Sequence, residues 1–207
     1  MKTCLAASCL TVLFGNLLVA QEGPKLTFEL AAGLTESVGS TRTNLEQTGW
    51  NLGGGIGYEL GHGLGVMLDL GLDYLTVNSA TLNTLGVPAG NIDLFSALIN
   101  PVYHLPTIHR TNFYVTGGGG YFHQSDNFDA PISTQPFSNK FFGFYNPGGL
   151  ASAITSGYSV NKPGYDVGGG IEYAKWHGKI FAEARYEHMF NGESHTDLIP
   201  VRFGFRW

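Results

Sequence analysis

Apolar and polar side chains alternate with a period of two residues along most of this 207-residue chain. Successive side chains of a β-strand point to opposite faces, so the alternation predicts strands with one apolar face. After residue 20, no stretch approaches the roughly eighteen consecutive apolar residues that a transmembrane helix needs. The chain is therefore predicted to be all-β.

Six segments carry the alternation clearly. In the segment 64–74, apolar side chains occupy the even positions, whereas glycine, methionine and aspartate occupy the odd positions. Two more segments, at about 92–103 and about 112–123, have a weak register, because Gly117 to Gly120 erase the pattern and Pro101 suggests a bulge. The six clear segments are 26–34, 50–60, 64–74, 165–173, 179–187 and 201–207.

The connections between these eight segments alternate between short and long. An up-and-down barrel in an outer membrane has this order, because its periplasmic turns are tight and its external loops are long. The fold class predicted is therefore an eight-stranded antiparallel up-and-down transmembrane β-barrel. The short turns are 61–63, 106–111 and 176–178, and the long connections are 35–48, 77–90, 124–160 and 191–198.

The alternation alone does not decide which face of the barrel points inward. In a soluble barrel the apolar face fills the interior, whereas in a membrane barrel it contacts lipid. Three features favour the membrane: an N-terminal export segment, a C-terminal aromatic segment, and aromatic residues near strand ends. These strand-end residues are Trp50, Tyr58, Tyr74, Tyr173, Tyr186 and Trp207.

The first twenty residues read as a secretory signal peptide. Lys2 supplies a positive start, residues 5–20 are mostly apolar, and cleavage is expected after Ala20. Leu18 stands where a second small residue is preferred, so an uncleaved anchor is the alternative. Both cysteines, Cys4 and Cys9, lie in this segment, so the mature barrel domain, 21–207, is expected to contain no disulfide.

Charged residues of the minor strand faces are predicted to meet inside the barrel. The interior of eight strands is just wide enough for side chains, and unpaired charges there are costly. The three arginines are therefore expected to pair with acids, and some of the remaining acids to be protonated or hydrated. The predicted interior network is Glu29, Glu59, Asp69, Asp73, Asp166, Glu172, Glu183, Arg185, Arg202 and Arg206.

The last strand carries a family resemblance. Residues 199–207 alternate apolar and polar residues and end on an aromatic, with Phe203, Phe205 and Trp207 on one face. This segment resembles the C-terminal assembly signal of small outer-membrane β-barrels of the OmpA/OmpX type, although the family usually ends on Phe. The resemblance implies an outer-membrane location, contact with outer-membrane lipid, and assembly by periplasmic chaperones and the barrel assembly machinery.

The charge composition argues against one class of function, nucleic-acid binding. A net charge of −5 and a pI near 5.7 argue against nucleic-acid binding, which needs clustered Lys and Arg. The leading hypothesis is a non-enzymatic barrel with a structural, adhesive or surface-binding role through its external loops. The third loop is the candidate contact surface, because it contains five aromatic residues between positions 137 and 145. The alternative interpretation is that these rings pack on the barrel rim or lie at the level of the lipid headgroups. These rings are Phe137, Phe141, Phe142, Phe144 and Tyr145.

Two other functions remain as alternatives. One is a narrow pore or carrier for small or apolar solutes, if the many inward glycines leave a path through the lumen. The other is a lipid A modifying enzyme, because lipid A deacylase barrels place His and Ser two residues apart. Here Phe190 stands two residues after His188, and Ser194 and His195 fall in the predicted last loop. We therefore predict that the protein is not an enzyme.

No cofactor or metal site is expected. The glycine runs lack the Lys-Ser/Thr of a nucleotide-binding loop, so we interpret them as strand residues that relieve crowding. The seven histidines show no spacing typical of a zinc site. They are His62, His104, His109, His123, His177, His188 and His195.

Overall fold

The computed structural model describes residues 26–43, 48–85, 89–106, 110–128, 137–139, 143–145, 156–175, 177–191 and 194–207. The expected signal peptide, with Cys4 and Cys9, lies outside these ranges. Within them, no helix is long and apolar enough to cross a membrane.

Eight long strands close into an antiparallel barrel in the order β1-β10-β9-β8-β5-β4-β3-β2. The barrel closes where the last strand pairs with the first, with Leu30 opposite Phe205. The predicted fold class is confirmed. The strands are β1 Leu26–Ser37, β2 Thr48–Gly61, β3 Leu64–Thr76, β4 Gly90–His104, β5 Thr111–Phe128, β6 Phe137–Asn139, β7 Gly143–Tyr145, β8 Ser156–Lys175, β9 Gly178–Asn191 and β10 Ser194–Arg206.

The outer wall of the barrel is apolar, and most of the charged residues of the strands point inward. On β3, the even-numbered leucines face outward and are exposed, whereas Asp69 and Asp73 face inward and are buried. The same inversion holds on β1 and β10, where Leu30 and Phe203 are exposed and Glu29 and Arg202 are buried. This is the distribution of a barrel whose outer wall contacts lipid.

The two strands of uncertain register are regular. On β4 the even-numbered residues point inward over the whole strand. The bulge expected at Pro101 is wrong: β4 and β5 pair through Ile99 and Gly119 and again through Val102 and Thr116, which is the same register. Proline stands there without a ladder N–H, and the hydroxyl of Thr116 donates to its carbonyl at 3.2 Å. The register instead shifts on β2, between Glu59 and Gly61.

The connections define two ends of the barrel, which we call the turn end and the loop end. At the turn end, Gly61, His62 and Gly63 all have positive φ and form the tight β2–β3 turn. At the loop end, a 3-10 helix, Gly39–Thr43, follows β1, and a short helix, Ser79–Leu85, follows β3. The side chain of Asn78 caps this helix by accepting the Thr81 N–H at 2.8 Å.

The prediction of a fourth long connection at 191–198 is wrong. Strand β9 continues to Asn191 and β10 begins at Ser194, and these two residues pair with each other. The polar residues of this segment therefore lie on strands that extend beyond the apolar wall. The segment was expected to be a loop because its residues are polar. A strand that lies outside the lipid needs no apolar face, so polar residues do not exclude a strand there.

Candidate functional site

The lumen near the turn end contains the first of three charged layers, built around Arg206. Its guanidinium lies 2.5 Å from Glu29 and 3.0 Å from Glu172, and Lys179 also reaches Glu172 at 2.7 Å. The same guanidinium lies over the rings of Tyr114 and Phe181, at 4.9 and 4.8 Å from their centroids. Charge-assisted bonds and cation–π contacts therefore hold this layer together.

The second layer is centred on Arg185, which serves three carboxylates. The Arg185 guanidinium lies 2.9 Å from Asp69, 3.0 Å from Asp166 and 2.5 Å from Glu183. Asn100 donates to Asp69 at 2.7 Å, and the Tyr114 hydroxyl donates to Glu183 at 2.9 Å. One buried cation and neutral donors thus stabilise the acids that arrive from three strands.

The third layer contains Arg202, Glu187 and Asp73. The Arg202 guanidinium lies 3.2 Å from Glu187, and Asp73 accepts the hydroxyl of Thr35. Three buried atoms of this layer, Glu187 Oε2, Asp73 Oδ2 and Arg202 Nε, have no hydrogen-bond partner in the part of the chain that the structure describes. Buried polar atoms of this kind are the usual partners of internal water molecules. This layer is therefore less completely satisfied than the two below it.

Toward the loop end, many of the inward-facing side chains are apolar. Those of β3, β4, β5, β9 and β10 pack into one buried cluster that we call the apolar cap, and Leu82 of the short helix packs against it. Phe122 and Met189 are completely buried within it. The cap fills much of this part of the lumen, beside the buried polar side chains of Gln124, Asp126 and Lys162. Its members are Leu75, Val77, Ile92, Leu94, Leu98, Phe122, Met189 and Leu198.

The predicted interior network can be compared with these layers residue by residue. All of the predicted residues except Glu59 are buried in the lumen. Glu59 is exposed, because β2 leaves the ladder at the register shift just beyond it. Glu187 is missing from the predicted network, although it is buried and pairs with Arg202. Lys162 was also missed: it is buried and donates to Gln124 at 2.6 Å.

Inward glycines make room for Arg202. A Cβ atom on Gly53 or Gly71 would lie 3.3 Å from its guanidinium nitrogens. Contacts this short require the arginine to move. These two glycines face each other across β2 and β3, so the guanidinium reaches over both strands. This geometry supports the interpretation that the glycine runs relieve crowding.

The proposed assembly signal lies at the seam of the barrel. Phe203 is exposed on the outer wall, and the rings of Phe205 and Trp207 stack with centroids 6.0 Å apart. Trp207 exchanges two backbone hydrogen bonds of 2.9 Å with Phe28 of β1. The terminal aromatic residue therefore forms part of the seam that closes the barrel.

The predicted contact surface of the third loop lies mostly outside the described residues. The backbones of Phe137, Phe144 and Tyr145 belong to a small hairpin in which Phe137 pairs with Tyr145 and Phe144 with Ser138. Phe141 and Phe142 are not among the residues that the structure describes. The role of these rings stays a prediction.

A polar group on the outer wall at the loop end, which we call the rim cluster, contains His188, His195, Asp197, Tyr186 and Ser40. Asp197 lies 2.7 Å from His188 Nδ1 and 3.3 Å from His195 Nε2, and accepts the Tyr186 hydroxyl at 2.8 Å. Ser40 Oγ lies 3.2 Å from the same His195 Nε2. His195 was expected in a loop and instead lies on β10, opposite Phe190.

The rim cluster does not have the geometry of a catalytic triad. In a triad the two ring nitrogens of histidine have different partners, the nucleophile on one and the acid on the other. Here Ser40 and Asp197 share one nitrogen of His195, which cannot accept a proton from the hydroxyl and donate to the carboxylate at once. Sequence reasoning missed Ser40, because it is brought to the cluster by the 3-10 helix.

Metal binding receives no support from the described part of the chain. No group of three or more His, Cys, Asp or Glu residues within those ranges is arranged to hold a metal ion.

The sequence matches no protein-family model and no curated protein. Solved structures do match. The barrel superposes on Neisserial surface protein A with a TM-score of 0.57 at 15% identity, covering 89% of this chain and 98% of that one. The chain has the fold of a small outer-membrane β-barrel. At this identity the likeness shows the fold alone.

Two further barrels match with lower TM-scores. A major outer membrane protein of Thermus thermophilus matches with a TM-score of 0.49 at 12% identity, over 88% of this chain and 98% of that one. The N-terminal barrel of Pseudomonas aeruginosa OprF matches with a TM-score of 0.41 at 18% identity, over 90% of this chain and 100% of that one.

Proposed function

We propose that the protein is a non-enzymatic outer-membrane barrel that acts through its external end, in a structural, adhesive or surface-binding role. The observation that carries this proposal is the filled lumen. Three charged layers occupy the part of the interior that faces the periplasm in this proposal, and the apolar cap, with the buried Gln124, Asp126 and Lys162 beside it, fills the part that faces outward. A solute pathway needs an open, hydrated lumen, so the surface available for binding is the external one.

The outer wall supports insertion in a lipid bilayer. Its exposed leucine, isoleucine and phenylalanine side chains form a belt around the barrel, and closure leaves no strand edge in lipid. Outer-membrane lipid is therefore the proposed surrounding of the wall. The exposed ring of Phe203 and the seam at Trp207 support recognition by the barrel assembly machinery and periplasmic chaperones during export.

The first test asks where the protein resides and whether it is a closed barrel. Membranes of expressing cells are fractionated, and the outer-membrane fraction is run on a gel with and without boiling. We expect the protein in that fraction with a mobility that shifts on heating, because closed barrels resist detergent. A soluble protein without the shift would show that the apolar wall does not face lipid.

The second test separates a closed barrel from a narrow pore, the alternative function. Purified protein is inserted into planar bilayers and its conductance is recorded. We expect no channel currents from the natural chain, because the apolar cap excludes water from the external part of the lumen. Steady unit currents, sensitive to replacement of Leu98 by Ser in the cap, would support the pore instead.

A further inference from the structure

The rim cluster is an unusual arrangement for the outer wall of a barrel. Asp197 lies on the outward-facing side of β10, in line with Val201 and Phe203, yet it is buried whereas they are exposed. His188, His195 and Tyr186 cover it, and its backbone N–H donates to Thr41 Oγ1 at 2.8 Å. A carboxylate is therefore built into the wall and held by several donors.

Aromatic rings flank this carboxylate in one continuous row across three strands. Tyr165 of β8 lies against His188 of β9 with centroids 5.1 Å apart, and His188 stacks on His195 of β10 at 5.4 Å and 24°. Phe190 meets His188 edge-on at 4.8 Å. The outer faces of this row are open, with Phe190 51% and Tyr165 41% exposed.

The position of the row along the barrel identifies its surroundings. Below it on the same strands lie the lipid-facing residues Val167, Ala184 and Val201, and above it β9 ends at Asn191 and β10 begins at Ser194. Aromatic rings with polar partners at the end of an apolar belt lie at the level of lipid headgroups. At the external end, these are headgroups of the outer leaflet.

We propose that the rim cluster binds a sugar ring of a glycolipid headgroup in the outer leaflet. The exposed rings of Tyr165 and Phe190 offer apolar faces on which the C–H face of a pyranose stacks. His195 and Ser40 offer exposed donors and acceptors for sugar hydroxyls. This site lies mainly on the barrel wall, with Ser40 supplied by the 3-10 helix that follows β1, and the inference rests on the proposed outer-membrane location.

Charge favours a sugar over a phosphate group. Asp197 stands at the centre of the cluster, and its carboxylate repels an anion that approaches the histidines. Among the arginine side chains that the structure describes, Arg185, Arg202 and Arg206 are buried in the lumen and Arg110 lies at the turn end, so none of these is placed to bind a phosphate group at the cluster. A neutral, hydroxyl-rich ligand therefore fits the cluster better than an anionic one.

The opposite side of the barrel supplies a matched control. Trp50 of β2 and Tyr74 of β3 form a stacked ring pair at 5.6 Å and 15°, also near the external end of the belt. This pair contains no histidine. Loss of a ring there alters the aromatic belt without touching the rim cluster.

The test uses the full-length protein folded in detergent micelles and shown to be heat-modifiable. The probe is the delipidated oligosaccharide of lipopolysaccharide, with inorganic phosphate and phosphatidylglycerol micelles as comparison ligands. Binding is measured by calorimetry for the natural chain and for the variants Phe190→Ala, His195→Ala and Tyr74→Ala. We expect both rim-cluster variants to bind the oligosaccharide about tenfold more weakly, and Tyr74→Ala to match the natural chain.

Each other outcome overturns the inference. Equal affinity of Phe190→Ala and the natural chain, or no binding by the natural chain, removes the sugar site while leaving the heat-modifiable barrel intact. Tighter binding of phosphate or phosphatidylglycerol identifies an anion site instead. If the protein is not heat-modifiable, the outer-membrane proposal itself fails before any ligand is added.

Discussion

The two parts of the lumen are made from the same strands and obey opposite rules. Toward the turn end, inward positions carry Glu29, Asp69 and Arg185, which are held by ion pairs across the barrel. Toward the loop end, inward positions carry Leu94, Phe122 and Leu198, which are held by packing, beside one buried polar group of Gln124, Asp126 and Lys162. An inward position in this barrel is therefore not always polar. The interior consists of the three charged layers, which we call the charged base, and the apolar cap next to them.

Substitutions in the two parts should therefore destabilise the barrel for different reasons. In the charged base, removing one partner leaves buried charges without compensation, and the cost depends on what remains. In the apolar cap, removing a side chain leaves a cavity, and the cost depends on how well the surroundings collapse. Three substitutions test this difference.

Replacing Arg185 with Met should have the largest effect. Arg185 is the cation shared by Asp69, Asp166 and Glu183, so its loss leaves three buried carboxylates without their charge partner. We expect the free energy of unfolding to fall by about 4 kcal/mol, measured by urea unfolding of the barrel in lipid vesicles.

The control for Arg185→Met is Arg110→Met, because Arg110 is exposed at the turn end. That change should cost no more than about 0.5 kcal/mol. Adding Asp69→Asn and Glu183→Gln to Arg185→Met should recover part of the loss, since the amides are neutral. If Arg185→Met alone were as stable as the natural chain, the account of the charged base would be contradicted.

Replacing Phe122 with Ala should be the next most costly change. Phe122 is completely buried in the apolar cap, and its loss creates a cavity. We expect a loss of about 3 kcal/mol in the same unfolding assay. Phe113→Ala on the same strand is the control, because Phe113 faces lipid that refills the space. Equal losses for the two variants would mean that the cap is not packed as a core.

Replacing Gly170 with Ala should have the smallest of the three effects. A Cβ there would lie 2.5 Å from the Tyr114 hydroxyl and 2.6 Å from the Ala182 carbonyl, so the β8–β9 pairing must shift. We expect a loss of about 2 kcal/mol. Combining it with Tyr114→Phe should recover little of the loss, because the ring carbon Cζ and the Ala182 carbonyl each remain 2.6 Å from the added Cβ. If Gly170→Ala is neutral, the close approach of Tyr114 to β8 is not required.

The predictions from sequence succeeded where one face of a strand was uniformly apolar. On β3 the alternation of leucine with glycine and aspartate assigned every residue of 64–74 to a face. On β4 both faces are apolar in part, since Leu94 and Leu98 point inward while Phe95 and Ile99 point outward. A period-two pattern carries no information there, which is why the apolar cap was not predicted.

The ends of the strands could not be predicted from the alternation of apolar and polar residues either. Lipid imposes an apolar face only on the residues within its thickness, so a strand that projects beyond the membrane reads as a polar loop. His188, His195 and Asp197 lie on such projecting strands, and the rim cluster was therefore dispersed over a predicted strand end and a predicted loop.

The fold class was predictable from the sequence, because the alternation and the number of strands are local patterns, and the face on which a residue lies is set by its neighbours in the chain. Which face contacts lipid followed from other features: the export segment, the C-terminal aromatic segment and the aromatic residues near strand ends. The tertiary structure decided which side chains meet. Arg185 and Asp69 lie 116 residues apart in sequence and 2.9 Å apart in the lumen. Such pairs depend on the register around the closed barrel, and register is a property of all eight strands together.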